Sequence, residues 1–113
     1  MSDHITTRQA GGTWVIRAGG AVLAETSRAV ELTEGGMAPV LYFPREDIAM
    51  ALMERSDTRS TCPWKGEASY FSVIGPEGRI RDAAWSYETP KPGMEAIAGH
   101  LAFYPTRVTI EEV

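Results

Sequence analysis

What most constrains this chain is that its apolar residues come in short runs held apart by glycine and proline. Trp14-Val15-Ile16-Arg17 and Val22-Leu23-Ala24-Glu25 flank Ala18-Gly19-Gly20-Ala21. A Gly-Gly pair supports the positive φ angles of a tight turn, so this segment predicts a β-hairpin. Ser69-Tyr70-Phe71-Ser72-Val73-Ile74 and Ile80-Arg81-Asp82-Ala83-Ala84-Trp85 flank Gly75-Pro76-Glu77-Gly78, whose Pro and Gly suit a turn. That predicts a second hairpin. Val40-Leu41-Tyr42-Phe43 is rich in β formers and bounded by Pro39 and Pro44, and reads as a short strand. Arg107-Val108-Thr109-Ile110-Glu111 alternates polar and apolar residues and predicts a closing strand.

The other segments are less decided. Ala29, Val30 and Leu32 fit a short strand or one helical turn equally, and Glu34-Gly35-Gly36 then breaks the chain. Ile48, Leu52 and Met53 sit at helical spacing, which predicts a short helix ending before Ser56 with Asp47 as its N-cap. Residues 94–98 predict one helical turn closed by Gly99. Residues 1–12, with His4 among them, carry little periodic signal and read as a flexible tail. Residues 13–113 are then the single folded unit that a 113-residue chain has room for. The expected class is mainly β, a small antiparallel two-sheet domain of short strands with one or two short helical turns. No internal repeat, low-complexity stretch or linker interrupts it.

Composition narrows the function classes. An apolar content of 43% supplies one core and argues against disorder. Eleven Lys+Arg against fifteen Asp+Glu give a net charge of −4, the wrong sign for a domain that binds nucleic acid in bulk. All the cations but Lys65 and Lys91 are Arg, whose rigid fork suits a carboxylate or phosphate. The single Cys62 forbids an intrachain disulfide and a four-thiolate zinc site, and points to a reducing compartment. The chain opens without a basic segment and apolar core of a leader, and no apolar run approaches the ~20 residues of a membrane span. The expected location is cytoplasmic, with no membrane partner.

Chemistry-bearing residues are densest in Thr61-Cys62-Pro63-Trp64-Lys65-Gly66-Glu67-Ala68-Ser69-Tyr70. Cys62 is a candidate nucleophile if Lys65 or an Arg lowers its pKa, with His100 the one imidazole inside the expected folded region to assist it. The competing reading is that Cys62 packs as a small hydrophobe and His100 is structural. Lys65 reads either as a ligand contact, flanked by the rings of Trp64 and Tyr70, or as a solvated charge beside a turn. Adjacent side chains such as Glu46 and Asp47 point to different sides of a strand and do not readily share one Mg²⁺. Asp-x-Asp, Gly-x-x-x-x-Gly-Lys-Ser/Thr, Gly-x-Gly-x-x-Gly and Gly-x-Ser-x-Gly are all absent. No metal and no cofactor is expected. Tyr42, Tyr70, Trp85 and Phe103 lie on or beside predicted strands, where aromatics usually serve packing.

Several of these residues fall into a wider pattern. Gly19-Gly20, Ala24 and Ser27-Arg28 are followed by Pro39-Val40, Tyr42, Pro44-Arg45 and Asp47. Cys62-Pro63-Trp64-Lys65-Gly66, Ala68, Tyr70, Ala84-Trp85, Tyr87, Pro90, Ile97-Ala98-Gly99-His100 and Phe103-Tyr104 complete it. Over about residues 13–111 this resembles domain of unknown function family 427, most specifically in the Cys-Pro-aromatic-Lys-Gly element. The resemblance implies an antiparallel β fold of the β-tent type, an open two-sheet architecture shared with some zinc-carrying domains. Those relatives hold zinc through Cys-x-x-Cys pairs, which this sequence lacks. The family also carries a nucleotidyltransferase-like label, but the Gly-Ser and paired-Asp pattern of that superfamily is absent here, so the activity is not carried over. Trp64 stands where many relatives resemble Cys-Pro-Tyr-Lys-Gly.

The resemblance marks Tyr42, Arg45, Asp47, Cys62, Lys65, Tyr70, Trp85 and Tyr87 as motif positions. Together they suggest one cleft with an aromatic floor and Arg/Lys walls for a small planar or anionic ligand, Lys65 and Arg45 pairing its charge. The leading expectation is a ligand-binding domain whose partner is a small molecule. The alternatives are an enzyme using Cys62 with Lys65 or His100, and a homodimer that pairs through an edge strand near residues 108–110 rather than a monomer.

Overall fold

The computed structural model describes residues 4–113. Its strands are, in chain order, β1 Ile5–Gln9, β2 Trp14–Ala18, β3 Ala21–Thr26, β4 Val30–Glu34, β5 Val40–Tyr42, β6 Met53–Cys62, β7 Gly66–Gly75, β8 Gly78–Ser86, β9 Leu101–Phe103 and β10 Thr109–Glu112. Both predicted hairpins form: β2 pairs with β3 across Gly19-Gly20, each glycine at positive φ, and β7 pairs with β8 across Pro76-Glu77. The undecided segment after Thr26 is a strand, β4. The helical turn expected before Gly99 is a 3₁₀ turn, Glu95–Ile97.

Two local expectations are corrected. Ile5–Gln9, read as part of a flexible tail, is a strand hydrogen-bonded along β4, so its order comes from a partner distant in sequence rather than from its own pattern. Residues 1–3 of that tail lie outside the described residues. The helix expected from Ile48 is not formed, and the described residues contain no α-helix. Two 3₁₀ turns, Arg45–Asp47 and Met50–Leu52, stand there instead, and the chain is already strand β6 from Met53. The Ala49 N–H bonds across to the Leu23 carbonyl at 2.7 Å, a tie to β3 in place of the next helical turn. Asp47 is the last residue of its 3₁₀ turn and caps no helix.

The strands form three small antiparallel sheets, in the orders β1-β4-β5, β10-β2-β3 and β6-β7-β8-β9. The expected mainly β, antiparallel class is observed, as three small sheets rather than two, and a bridge between Phe43 and Leu101, with N–H to O distances of 2.8 and 3.0 Å in the two directions, hydrogen-bonds the first sheet to the third. Pro44 follows at once and has no N–H to carry the ladder further.

Side-chain alternation along β5, β8 and β9 creates two cores. Phe43, Ala84, Leu101 and Phe103 face a cluster with Ile16, Leu23, Phe71 and Val73. Tyr42 and Ala102, their neighbours in the chain, face the other way into a cluster with Ile5, Leu32, Tyr87, Met94 and Ile97. All three residues of β9 are buried, which places this strand in the wall between the cores.

Candidate functional site

The Cys-Pro-Trp-Lys-Gly element is the turn between β6 and β7. Cys62 and Gly66 face each other as the last paired residues, leaving Pro63, Trp64 and Lys65 as the loop. Proline fixes its own φ at the start of the turn. Gly66 closes it at φ +113°, a conformation that L side chains rarely adopt. A Cβ there would also stand 3.5 Å from the Lys91 nitrogen. The turn is pressed against that segment, and the Lys91 N–H donates to the Lys65 carbonyl at 3.0 Å.

This anchoring carries the Lys65 side chain inward. Lys65 is only 8% exposed, its Nζ donates to Glu34 Oε1 at 2.7 Å, and Nζ stands 5.7 Å from the centre of the Tyr87 ring. Glu34 comes from the end of β4 and also has His4 Nε2 at 3.8 Å from its other oxygen. Trp64, 40% exposed, meets the His4 ring edge-on at 5.0 Å.

Behind the ion pair lies a cavity of about 240 Å³. All four tyrosines of the chain, Tyr42, Tyr70, Tyr87 and Tyr104, line it together with Trp85. The sheet register explains part of this convergence, since Tyr70 on β7 pairs directly with Trp85 on β8. Trp85 Nε1 donates to Tyr42 Oη at 3.3 Å, and the Trp85 ring stands 6.3 Å from that of Tyr42 and 4.5 Å from that of Tyr104. Ser60 Oγ and Tyr70 Oη share a hydrogen bond of 2.8 Å. Burial pushes the Tyr42 phenol up to about 12, and burial followed by the hydrogen bond to Tyr70 pushes Tyr104 up to about 12 as well. Tyr87 is raised too, first by burial and then by Tyr42. These three hydroxyls therefore stay protonated at neutral pH, each both a donor and an acceptor.

The other expected site residues lie elsewhere. Arg45 and Asp47, expected to share the cleft, do not line this cavity, because Pro44 ends β5 and the following 3₁₀ turn carries both away from Tyr42. Arg45 Nε donates to the Gly99 carbonyl at 3.0 Å, and its Nη2 reaches Glu88 at 3.0 Å. Arg55 holds the same Glu88 with two bonds of 2.9 and 2.7 Å, and both guanidinium groups lie over the Phe71 ring. These two arginines, Arg55 first, hold the Glu88 carboxyl down to about 2. Asp47 accepts from Thr26 Oγ1 at 2.7 Å and from Arg28 at 3.1 Å, and both bonds lower its pKa. It ties the 3₁₀ turn to β3.

Cys62 is half-buried against the second core and is not among the residues lining the tyrosine cavity. His100 sits in a shallow surface cleft with Arg45, Glu46 and Glu88, its Nδ1 3.1 Å from the Ala98 carbonyl. Among the described residues, no group of three or more His, Cys, Asp and Glu is placed to hold a metal ion.

Glu34, Met37 and Tyr104 line the cavity but were not among the expected site residues, although Tyr104 belongs to the family pattern quoted above. Glu34 stood beside a Gly-Gly break and read as loop chemistry. Tyr104 was within reach of a simple signal: a chain with only four tyrosines had three of them already among the motif positions.

Residues 6–113 match the family model described as Domain of unknown function (DUF427). No curated protein matches the chain.

Proposed function

The chain belongs to the DUF427 family, and from that premise we propose that it is a binding domain for a small, flat, uncharged molecule that hydrogen-bonds at its edge. The observation that carries this reading is the convergence of every tyrosine of the chain, with Trp85, on one cavity. Packing alone has no need of so many phenols in one place, whereas a ligand site is typically apolar-walled with a few directed polar groups. At about 240 Å³ the cavity falls below the roughly 300–1,000 Å³ of sites for drug-sized ligands, so the ligand is about one ring system in size.

The same geometry favours a neutral ligand over an anionic one. Lys65 is already neutralised by Glu34 at 2.7 Å, and Arg45 is engaged with Glu88 outside the cavity. An anion would have to displace Glu34 and leave that carboxylate without its partner, a costly exchange at a half-buried site.

Titration of ¹⁵N-labelled protein with benzamide, nicotinamide and uracil tests the reading. At least one should shift the Trp85 indole N–H saturably while leaving the exposed Trp64 indole in place. Tyr70→Ala should weaken that binding about tenfold, the loss of one good stacking contact of ~1.4 kcal/mol. No saturable change at Trp85 with any of the three sinks the proposal.

A further inference from the structure

A second and larger hollow, about 460 Å³, opens beside the tyrosine cavity, and its walls are of a different kind. Trp14 of β2, Leu41 of β5, Phe103 of β9, Pro105 and Ile110 of β10 line it. Trp14, Leu41 and Ile110 rest on the first core, which gives these walls a packed backing. The polar groups that reach the hollow are already engaged. Trp14 Nε1 donates to the Gly11 carbonyl at 2.9 Å, Trp85 Nε1 is held by Tyr42, and the Glu31 carboxylate at the edge is paired with Arg8. Such a surface recognises by shape and by removing carbon from water, and it penalises a charge that it offers nothing to pair with.

The two hollows share part of their walls. Ala38, Val40 and Trp85 line both. Along β5, Tyr42 lines only the tyrosine cavity and Leu41 only the apolar hollow, as alternation requires, while Val40 at the start of the strand and Ala38 before it line both, so the hollows adjoin there. We propose that the apolar hollow receives the uncharged hydrocarbon end of the same ligand whose flat, hydrogen-bonding end fills the tyrosine cavity. The ligand class is then a neutral two-ended molecule, a polar ring carrying a short alkyl or aryl substituent. This rests on the proposed function for its polar end and on the shared walls for its apolar end.

Isothermal titration with benzamide and 4-butylbenzamide reads the linkage, and fluorescence of the neutral probe N-phenyl-1-naphthylamine reads the apolar hollow by itself. The butyl chain should tighten binding at least tenfold. Ile110→Asp, within the hollow, and Pro105→Trp, which fills it from an exposed position that does not line the tyrosine cavity, should each abolish that gain while benzamide still binds as before. An unchanged affinity on adding the butyl group, or a gain that survives both variants, overturns the inference and leaves the proposed function standing. If benzamide itself does not bind, the proposed function falls and the two-ended ligand with it. The fluorescent probe then decides whether the hollow stands as an independent apolar site, which requires saturable binding lost in Ile110→Asp. A dimer in sedimentation that Ile110→Asp dissolves assigns the hollow to a second copy of the chain and also overturns the inference.

Discussion

The two cores, separated by a wall a few residues thick, are built from different materials. The first, around Phe43, Phe71, Leu101 and Phe103, packs aliphatic side chains with phenylalanines and no phenol, and is closed by the Arg45–Glu88–Arg55 clasp over the Phe71 ring. The second, around Tyr42, Tyr87 and Ala102, carries phenols in its interior, has a buried lysine at its edge and stands beside the tyrosine cavity. Adjacent residues feed them: Phe43 one, Tyr42 the other. A side chain that only fills space has no use for a hydroxyl that must then be satisfied, so the difference sets the part of the molecule that holds the fold apart from the part to which binding is proposed.

The comparison breaks most visibly at Phe43. It is fully buried and edge-on to Phe103 at 6.1 Å, and Phe43→Ala should cost about 4 kcal/mol in urea unfolding, mainly as an unfilled cavity. A loss below about 1 kcal/mol would mean that the first core is not the principal support. The next effect is an asymmetry at the second core. Glu34→Gln leaves the buried ammonium of Lys65 without its counter-charge and should cost about 3 kcal/mol, whereas Lys65→Met leaves only a carboxylate that water can reach and should cost about 1 kcal/mol. Equal losses in the two variants would contradict the buried state of Lys65.

Acid should reach the first core through its clasp. The Glu88 carboxyl is held at about 2, below its ordinary 4.5, so the unfolded chain takes up the proton first. Its contribution is complete above about pH 4.5 and drains away as the pH falls through about 2, on the order of 2 kcal/mol in all. Glu88→Gln should flatten the stability profile in that window, and an identical slope in the variant would show that the clasp adds nothing. The smallest effect is expected at the rim of the second core. Trp64 is exposed at the surface, and Trp64→Tyr, which keeps an aromatic ring there, should move stability by no more than about 0.5 kcal/mol, read in the same unfolding assay. A larger loss would make its contact with His4 a structural one.

The sequence was most legible where conformation is decided locally. Gly19-Gly20 and Pro76-Glu77 fix their hairpins with the turn residues alone. β6 was illegible because Met53–Cys62 is a mostly exposed polar strand at the edge of its sheet, with no alternation to betray it and with Ile48, Leu52 and Met53 mimicking a helical stripe. At the site, Tyr42, Lys65, Tyr70, Trp85 and Tyr87 do come together, while Arg45 and Asp47, only a few residues from Tyr42, do not. The reason is Pro44, a single residue that reverses which side of the wall the chain serves. Glu34 escaped notice since a charge at a strand end has no local signature, and its meaning appears only once Lys65 is seen to point inward.

The pairing of β10 with β2 has a consequence for how the molecule is made. Arg17 and Glu111, joined across these strands at 3.1 Å, are 94 residues apart. On a ribosome, β2 and β3 can close their hairpin early, but Ile110 reaches its place only after nearly everything between has been synthesised. Until then Trp14 and Leu41 stand uncovered by β10, so the nascent chain exposes a greasy surface that the finished protein has narrowed to a slot.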